Sequence, residues 1–156
     1  NEAKDAAITA KIKADYTKDR ELNPVKIHVT TQDGNVVLKG ELQNDRQFEY
    51  AVMYAAATDG VKSIDAEQLT VTRSKAPLKD SYITAKVKGA LLKNRIFGDK
   101  TSAVRNWTIH VTTKNQVVYL RGEVDSKLEK QQIINLAKQI QDVKRVKASL
   151  KIKQKT

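Results

Sequence analysis

Ile27-His28-Val29-Thr30-Thr31, followed by Val36-Val37-Leu38-Lys39-Gly40-Glu41-Leu42, returns later in the chain. The second appearance is Ile109-His110-Val111-Thr112-Thr113, followed by Val118-Tyr119-Leu120-Arg121-Gly122-Glu123-Val124. A repeat of this kind marks two copies of one structural unit. In each copy apolar residues alternate with polar ones, the period of a half-buried strand. Between the runs of the first copy, Asp33-Gly34-Asn35 supplies the positive-φ chemistry of a tight turn, so the pair reads as a β-hairpin.

Upstream, Asp5-Ala6-Ala7-Ile8-Thr9-Ala10-Lys11-Ile12-Lys13 matches Asp80-Ser81-Tyr82-Ile83-Thr84-Ala85-Lys86-Val87-Lys88, and downstream Val61-Lys62-Ser63-Ile64 matches Val143-Lys144-Arg145-Val146. The offset grows from 75 to 82, so seven residues are inserted in the second copy, between Asn94 and Trp107. Ile8, Ile12 and Tyr16 recur every four residues, as do Ile83, Val87 and Leu91, which predicts an amphipathic helix ahead of each hairpin. Asp5 stands where it can accept from the first-turn amides.

Asn44 with Gln47, and Ser126 with Glu129, have capping-box spacing. They open second helices whose apolar faces are Phe48, Val52 and Ala55, and Ile133, Leu136 and Ile140. Gly40 and Gly122 suggest a bulge or close helix packing. Leu69-Thr70-Val71 and Leu150-Lys151-Ile152 close each unit as a strand. The order is αββαβ, twice. The predicted class is α+β, each copy a three-stranded mixed sheet with two helices on one face. Residues 1–73 and 80–156 are the expected domains, with 74–79, which include Pro77, as linker.

These residues resemble a known family. The pattern Ile27, Val29, Gly34, Val36, Leu38, Gly40, with Gly60-Val61 after a helix, is similar to the BON domain, a small αββαβ module of bacterial envelope proteins often found as a tandem pair. The second copy departs from it with Gln116 in place of Gly34 and Asp142 in place of Gly60. The resemblance implies a non-enzymatic, mostly periplasmic protein that contacts phospholipid or helps maintain the envelope.

Composition bounds the chemistry. At 156 residues and two copies, each unit is small enough to be marginal alone, which favours docking of one on the other. Cysteine is absent, so disulfides, thiol nucleophiles and thiolate metal sites are excluded. Met53 is the one methionine, and the chain begins without an initiator, as either a processed mature protein or a trimmed chain does. His28 and His110 occupy equivalent strand positions, point away from the core by alternation, and have no clear carboxylate partner, so no metal site is expected. Neither a nucleophile elbow nor a phosphate-binding glycine loop occurs, and neither enzyme activity nor a cofactor is expected.

The charge is informative once divided. Residues 1–75 hold 11 Lys and Arg against 12 Asp and Glu, a net of −1, whereas residues 76–156 hold 18 against 6, a net of +12. The basic excess therefore belongs to the second copy and points to an anionic partner.

Where the first copy ends its helix as Tyr16-Thr17-Lys18-Asp19-Arg20-Glu21-Leu22, the second has Leu91-Leu92-Lys93-Asn94-Arg95-Ile96-Phe97. On a helical wheel Leu92 lies opposite the core stripe. Apolar side chains among cations suit interfacial membrane binding, which nominates Lys86, Leu92, Lys93, Arg95, Ile96, Phe97, Lys100 and Trp107 as a contact with an anionic phospholipid surface. A competing reading has Phe97, aligned with Leu22, plug the core, Leu92 and Ile96 cover the interface between copies, and Trp107 pack inside. Lys151, Lys153 and Lys155 alternate with Leu150 and Ile152 as a basic outer row, suited to binding or to discouraging edge-to-edge aggregation. An envelope protein or cell-wall component is the alternative partner. Eight aromatics and no nucleic-acid-binding signature argue against nucleic acid.

Overall fold

The computed structural model describes residues 1–94 and 108–154. The first unit comprises α1 (Glu2–Lys18), β1 (His28–Gln32), β2 (Asn35–Asn44), α2 (Asp45–Ala56) and β3 (Ser63–Arg73). The second comprises α3 (Leu78–Lys93), β4 (Ile109–Lys114), β5 (Val117–Val124), α4 (Lys127–Gln139) and β6 (Arg145–Ile152). Each forms a three-stranded sheet with the hairpin's second strand in the middle, antiparallel to the first and parallel to the third. The expected α+β architecture of two repeated units is the observed one.

Strand alternation decides the core. Val29, Val36, Leu38 and Leu69 are buried on the helix side with Ile8, Ile12, Tyr16, Phe48 and Val52, and the second unit repeats this with Val111, Val118, Leu120, Ile83, Val87, Leu91 and Ile133. Tyr16 is buried but satisfied, since its hydroxyl donates to Ala51 O at 2.6 Å. Burial pushes that phenol far above its ordinary pKa, so it remains a donor.

Both capping boxes form in a shifted version, in which the reciprocal bond reaches the residue before the N-cap. Gln47 N and Glu129 N donate to Asn44 Oδ1 and Ser126 Oγ, while Gln47 Oε1 and Glu129 Oε1 accept from Gln43 N and Asp125 N. Asp5 does not cap α1. The helix starts earlier, capped by Asn1, whose Oδ1 accepts from Lys4 N at 2.8 Å. That frees Asp5 to point at the hairpin turn, where its two oxygens accept from Asp33 N at 2.8 Å and Gly34 N at 3.0 Å. Asp80 repeats the lock on Asn115 N and Gln116 N, both at 3.0 Å. A second tie joins helix to hairpin in each unit, Thr9 to Thr31 and Thr84 to Thr113.

The two missing glycines change side chains and leave the turn conformation in place. Gly34 and Gly60 have φ of 82° and 92°; Gln116 and Asp142 hold 66° and 72°. A Cβ at Gly34 meets Gly60 O at 2.9 Å. In the second unit Gln116 instead donates its side-chain amide to Asp142 O at 3.0 Å, so the substituted pair is tied together. Gly40 and Gly122 serve neither helix packing nor a bulge of their own: a side chain there would strike the backbone entering the sheet, Lys26 O at 2.9 Å from a Cβ at Gly40 and Thr108 O for Gly122. The bulge lies in β3, where the register against β2 shifts between Val37 and Lys39. The second sheet pairs without a shift, which accounts for the closing strands matching one residue out of step with the hairpins.

The units dock through helices. Ala85 is buried in the first unit's core, and Leu78, Tyr82 and Leu92 pack against that core. Gly89 lets α3 approach α2 closely: a Cβ there would collide with Ala56 and stand 2.8 Å from Met53 O. Positions 78, 82, 85, 89 and 92 follow the alternating four-and-three spacing of a helix seam. Lys88 Nζ closes the seam on Glu49 Oε1 at 2.8 Å, and Tyr82 Oη donates to Ile64 O at 2.7 Å. The equivalent α1 positions are Ala3, Ala7, Ala10, Ala14 and Thr17, all exposed.

Gly89→Leu should therefore force α2 and α3 apart at a cost of about 1–3 kcal/mol. Calorimetry is expected to show one unfolding transition becoming two, and an unaltered trace would refute this packing. Backbone hydrogen bonds from Asp33 and Gly34 hold the Asp5 carboxyl below the usual carboxylate range. A carboxylate with a depressed folded pKa contributes stability above its unfolded pKa and loses it as pH falls through the folded one. The difference in urea midpoint between the wild type and Asp5→Ala should thus be largest near neutrality and narrow as the pH falls below about 4. A pH-independent difference would mean that the charge plays no part.

Candidate functional site

A site in this fold has to be built on what the cores and the seam leave uncovered. Among the described residues no group of three or more His, Asp or Glu stands together to hold a metal, and no helix is long and apolar enough to cross a membrane. His28 and His110 are exposed on the outer faces of their sheets, on the side the alternation assigns.

The residues nominated at the end of α3 have separate placements. Leu92 does face away from its own core, and there it is half-buried against the first unit's core. Lys86 is half-buried with its Nζ 5.2 Å from the centre of the Tyr82 ring, a cation–π contact. Lys93 is exposed on the last turn of α3. Arg95, Ile96, Phe97, Lys100 and Trp107 lie outside the described residues.

Because helices cover only one side of each sheet, the outer faces are open, and they differ sharply in charge. In the first sheet the outward positions include His28, Thr30 and Gln32 on β1, Val37, Lys39 and Glu41 on β2, and Ser63, Asp65, Gln68 and Thr70 on β3. Their counterparts are His110, Thr112 and Lys114 on β4, Tyr119, Arg121 and Glu123 on β5, and Arg145, Lys147, Ser149 and Lys151 on β6. The ladder proves the equivalence: Asp65 pairs with Val37 as Lys147 pairs with Tyr119, and Thr70 pairs with Glu41 as Lys151 pairs with Glu123. One cation against two acids has become five cations against one.

Tyr119 lies amid these charges, 39% exposed, with Lys147 Nζ 5.8 Å from its ring centre. His110, Thr112, Arg121, Lys147 and Ser149 surround it in an open hollow of about 440 Å³. A second hollow of about 510 Å³ runs between the units from Asp45 and Glu49 to His110 and Arg121, so the β4 side of the basic face borders acidic groups of the first unit. Alternation in β6 made part of the basic row legible in the sequence. Tyr119 gives no such signal, because only strand pairing sets it beside Lys147.

The other exposed large apolar side chains among the described residues are Leu128 and Ile152, 69% and 47% exposed. Both lie at the end of the second unit where β5 runs into α4 and β6 finishes. Leu128 replaces Arg46, which in the first unit is ion-paired with Glu21 at 3.6 Å.

Residues 4–73 and 79–154 each match the family model of the BON domain. Osmotically-inducible protein Y of Escherichia coli (strain K12) is 32% identical over 149 residues, which cover 96% of this chain and 73% of that protein. Among solved structures, the C-terminal domain of CdsD, a structural protein of the Type III secretion system of Chlamydia trachomatis, is 16% identical with a TM-score of 0.38, covering 96% of this chain and 67% of that one. Another CdsD structure is 16% identical with a TM-score of 0.37, over 96% of this chain and 63% of that one.

Proposed function

The chain belongs to the BON domain family, in two tandem copies, and on that premise we propose that it is a non-enzymatic protein of the bacterial periplasm that binds anionic phospholipid surfaces through its second domain. Its role is to support envelope integrity or the response to stress, in keeping with its likeness to an osmotically inducible protein.

One observation carries this reading. Every large apolar side chain exposed among the described residues, namely Tyr119, Leu128 and Ile152, belongs to the half of the chain with a net charge of +12. Cations near an anionic bilayer contribute about 1 kcal/mol each, and apolar groups add to this by shallow insertion. Lys93, with Arg95, Ile96, Phe97, Lys100 and Trp107 next in sequence, belongs to the same proposal. Leu92 and Lys86 support it less, because the seam and Tyr82 engage them. The alternative, recognition of a protein or cell-wall component, draws on the hollow between the domains with its mixed lining of Asp45, Glu49, His110 and Arg121.

Phosphatidylglycerol vesicles should co-sediment the protein at about 0.1 M salt and release it towards 1 M, as the screening length shrinks from about 10 Å to about 3 Å. Phosphatidylcholine vesicles should leave it in solution. Equal binding to both lipids, or to neither, sinks the proposal.

A further inference from the structure

We propose that the second domain meets the bilayer with its open sheet, where Lys114, Arg121, Arg145, Lys147 and Lys151 contact lipid phosphates around an interfacial Tyr119. The inference rests on the membrane reading above. It moves the main contact from the end of α3 to the opposite side of the domain.

Position by position, the two sheets isolate what the second domain has acquired. Ser63, Asp65, Thr70 and Gln32 correspond to Arg145, Lys147, Lys151 and Lys114, while Lys39 and Glu41 keep their charge as Arg121 and Glu123. The cores beneath need none of these changes, because every one of these side chains is exposed. A change confined to solvent-facing positions alters what the surface meets and leaves packing alone. Meanwhile the helix side is engaged elsewhere: Leu78, Tyr82, Ala85, Gly89 and Leu92 form the seam, and Lys88 pairs with Glu49.

The arrangement of the cations favours a bilayer over a polymer. They lie on all three strands, which are spaced about 4.8 Å apart, and so form a two-dimensional array where a linear polyanion needs only a row. Base stacking calls for successive aromatic platforms, and among the described residues this face has Tyr119 alone. One tyrosine suits a bilayer interface, where its ring meets apolar atoms and its hydroxyl meets water. The acids that oppose binding are Glu123, across from Lys151, and Asp45 and Glu49 beside Arg121. Arg145 and Lys147, on the far strand, are therefore the cleanest probes.

The test uses the full chain with phosphatidylglycerol vesicles at low salt. Arg145→Glu combined with Lys147→Glu should weaken binding by about 10-fold or more. Arg145→Lys with Lys147→Arg should bind as the wild type does, and Lys93→Glu, at the periphery of the contact, should weaken binding less per reversed charge than Arg145→Glu with Lys147→Glu does. Thermal midpoints of all three should match the wild type, since the altered side chains are exposed. Wild-type affinity in the double charge reversal overturns the inference, as does a large loss confined to Lys93→Glu; in both cases the membrane reading stands. If the wild type ignores the vesicles, that reading fails first. Tighter binding of single-stranded DNA than of vesicles at the same salt, abolished by the charge reversal, would keep the surface and overturn its occupant.

Discussion

The docking of α3 on α2 is the constraint from which the exposed surface follows. α3 is buried along two stripes at once, Ile83, Val87 and Leu91 towards its own sheet and Leu78, Tyr82, Ala85, Gly89 and Leu92 towards the first domain. Small domains bury too little surface to be robust alone, and a shared helix adds apolar burial for both. With the helices packed inward, both sheets turn their outer faces to solvent.

The seam is not repeated at either end. α1 carries alanines and a threonine at the equivalent positions, and Glu49, Met53 and Ala56 of α2 correspond to exposed Gln131, Asn135 and Lys138 of α4. A duplicated unit that kept a complementary surface at both ends would extend into an open chain of copies. Here the polar α4 acts as the capping face of a repeat array does. Duplication has thus produced a closed pair from halves that fold alike and dock once.

The shared features maintain the scaffold and the unshared ones face outward. Both units keep the carboxylate lock on the hairpin turn, the threonine pair, the capping boxes and the glycine beneath the incoming strand. Where the glycines of the turn are lost, Gln116 and Asp142 hold the same left-handed conformation and bond to each other. Outside this frame the second domain exchanges an acid for a lysine at position 147 and an ion-paired arginine for Leu128, where no packing resists the change.

The sequence by itself determined the duplication, the αββαβ order, both hairpins, both capping boxes and the location of the basic excess in the second half. Each is a local pattern of spacing, turn chemistry or charge. Local capping logic has no term for a hairpin 28 residues away and so assigns Asp5 the wrong partner, and the reason for Gly40 lies in the approach of Lys26, from the segment that leads into β1. The wheel placed Leu92 off the core, but only the tertiary structure supplied the first domain as its cover. The basic face was likewise undecided, since alternation gives the side of a strand but not its neighbours. Parallel pairing of β5 with β6 across a helix brings Tyr119 beside Lys147, a contact between residues 28 apart that no local spacing encodes.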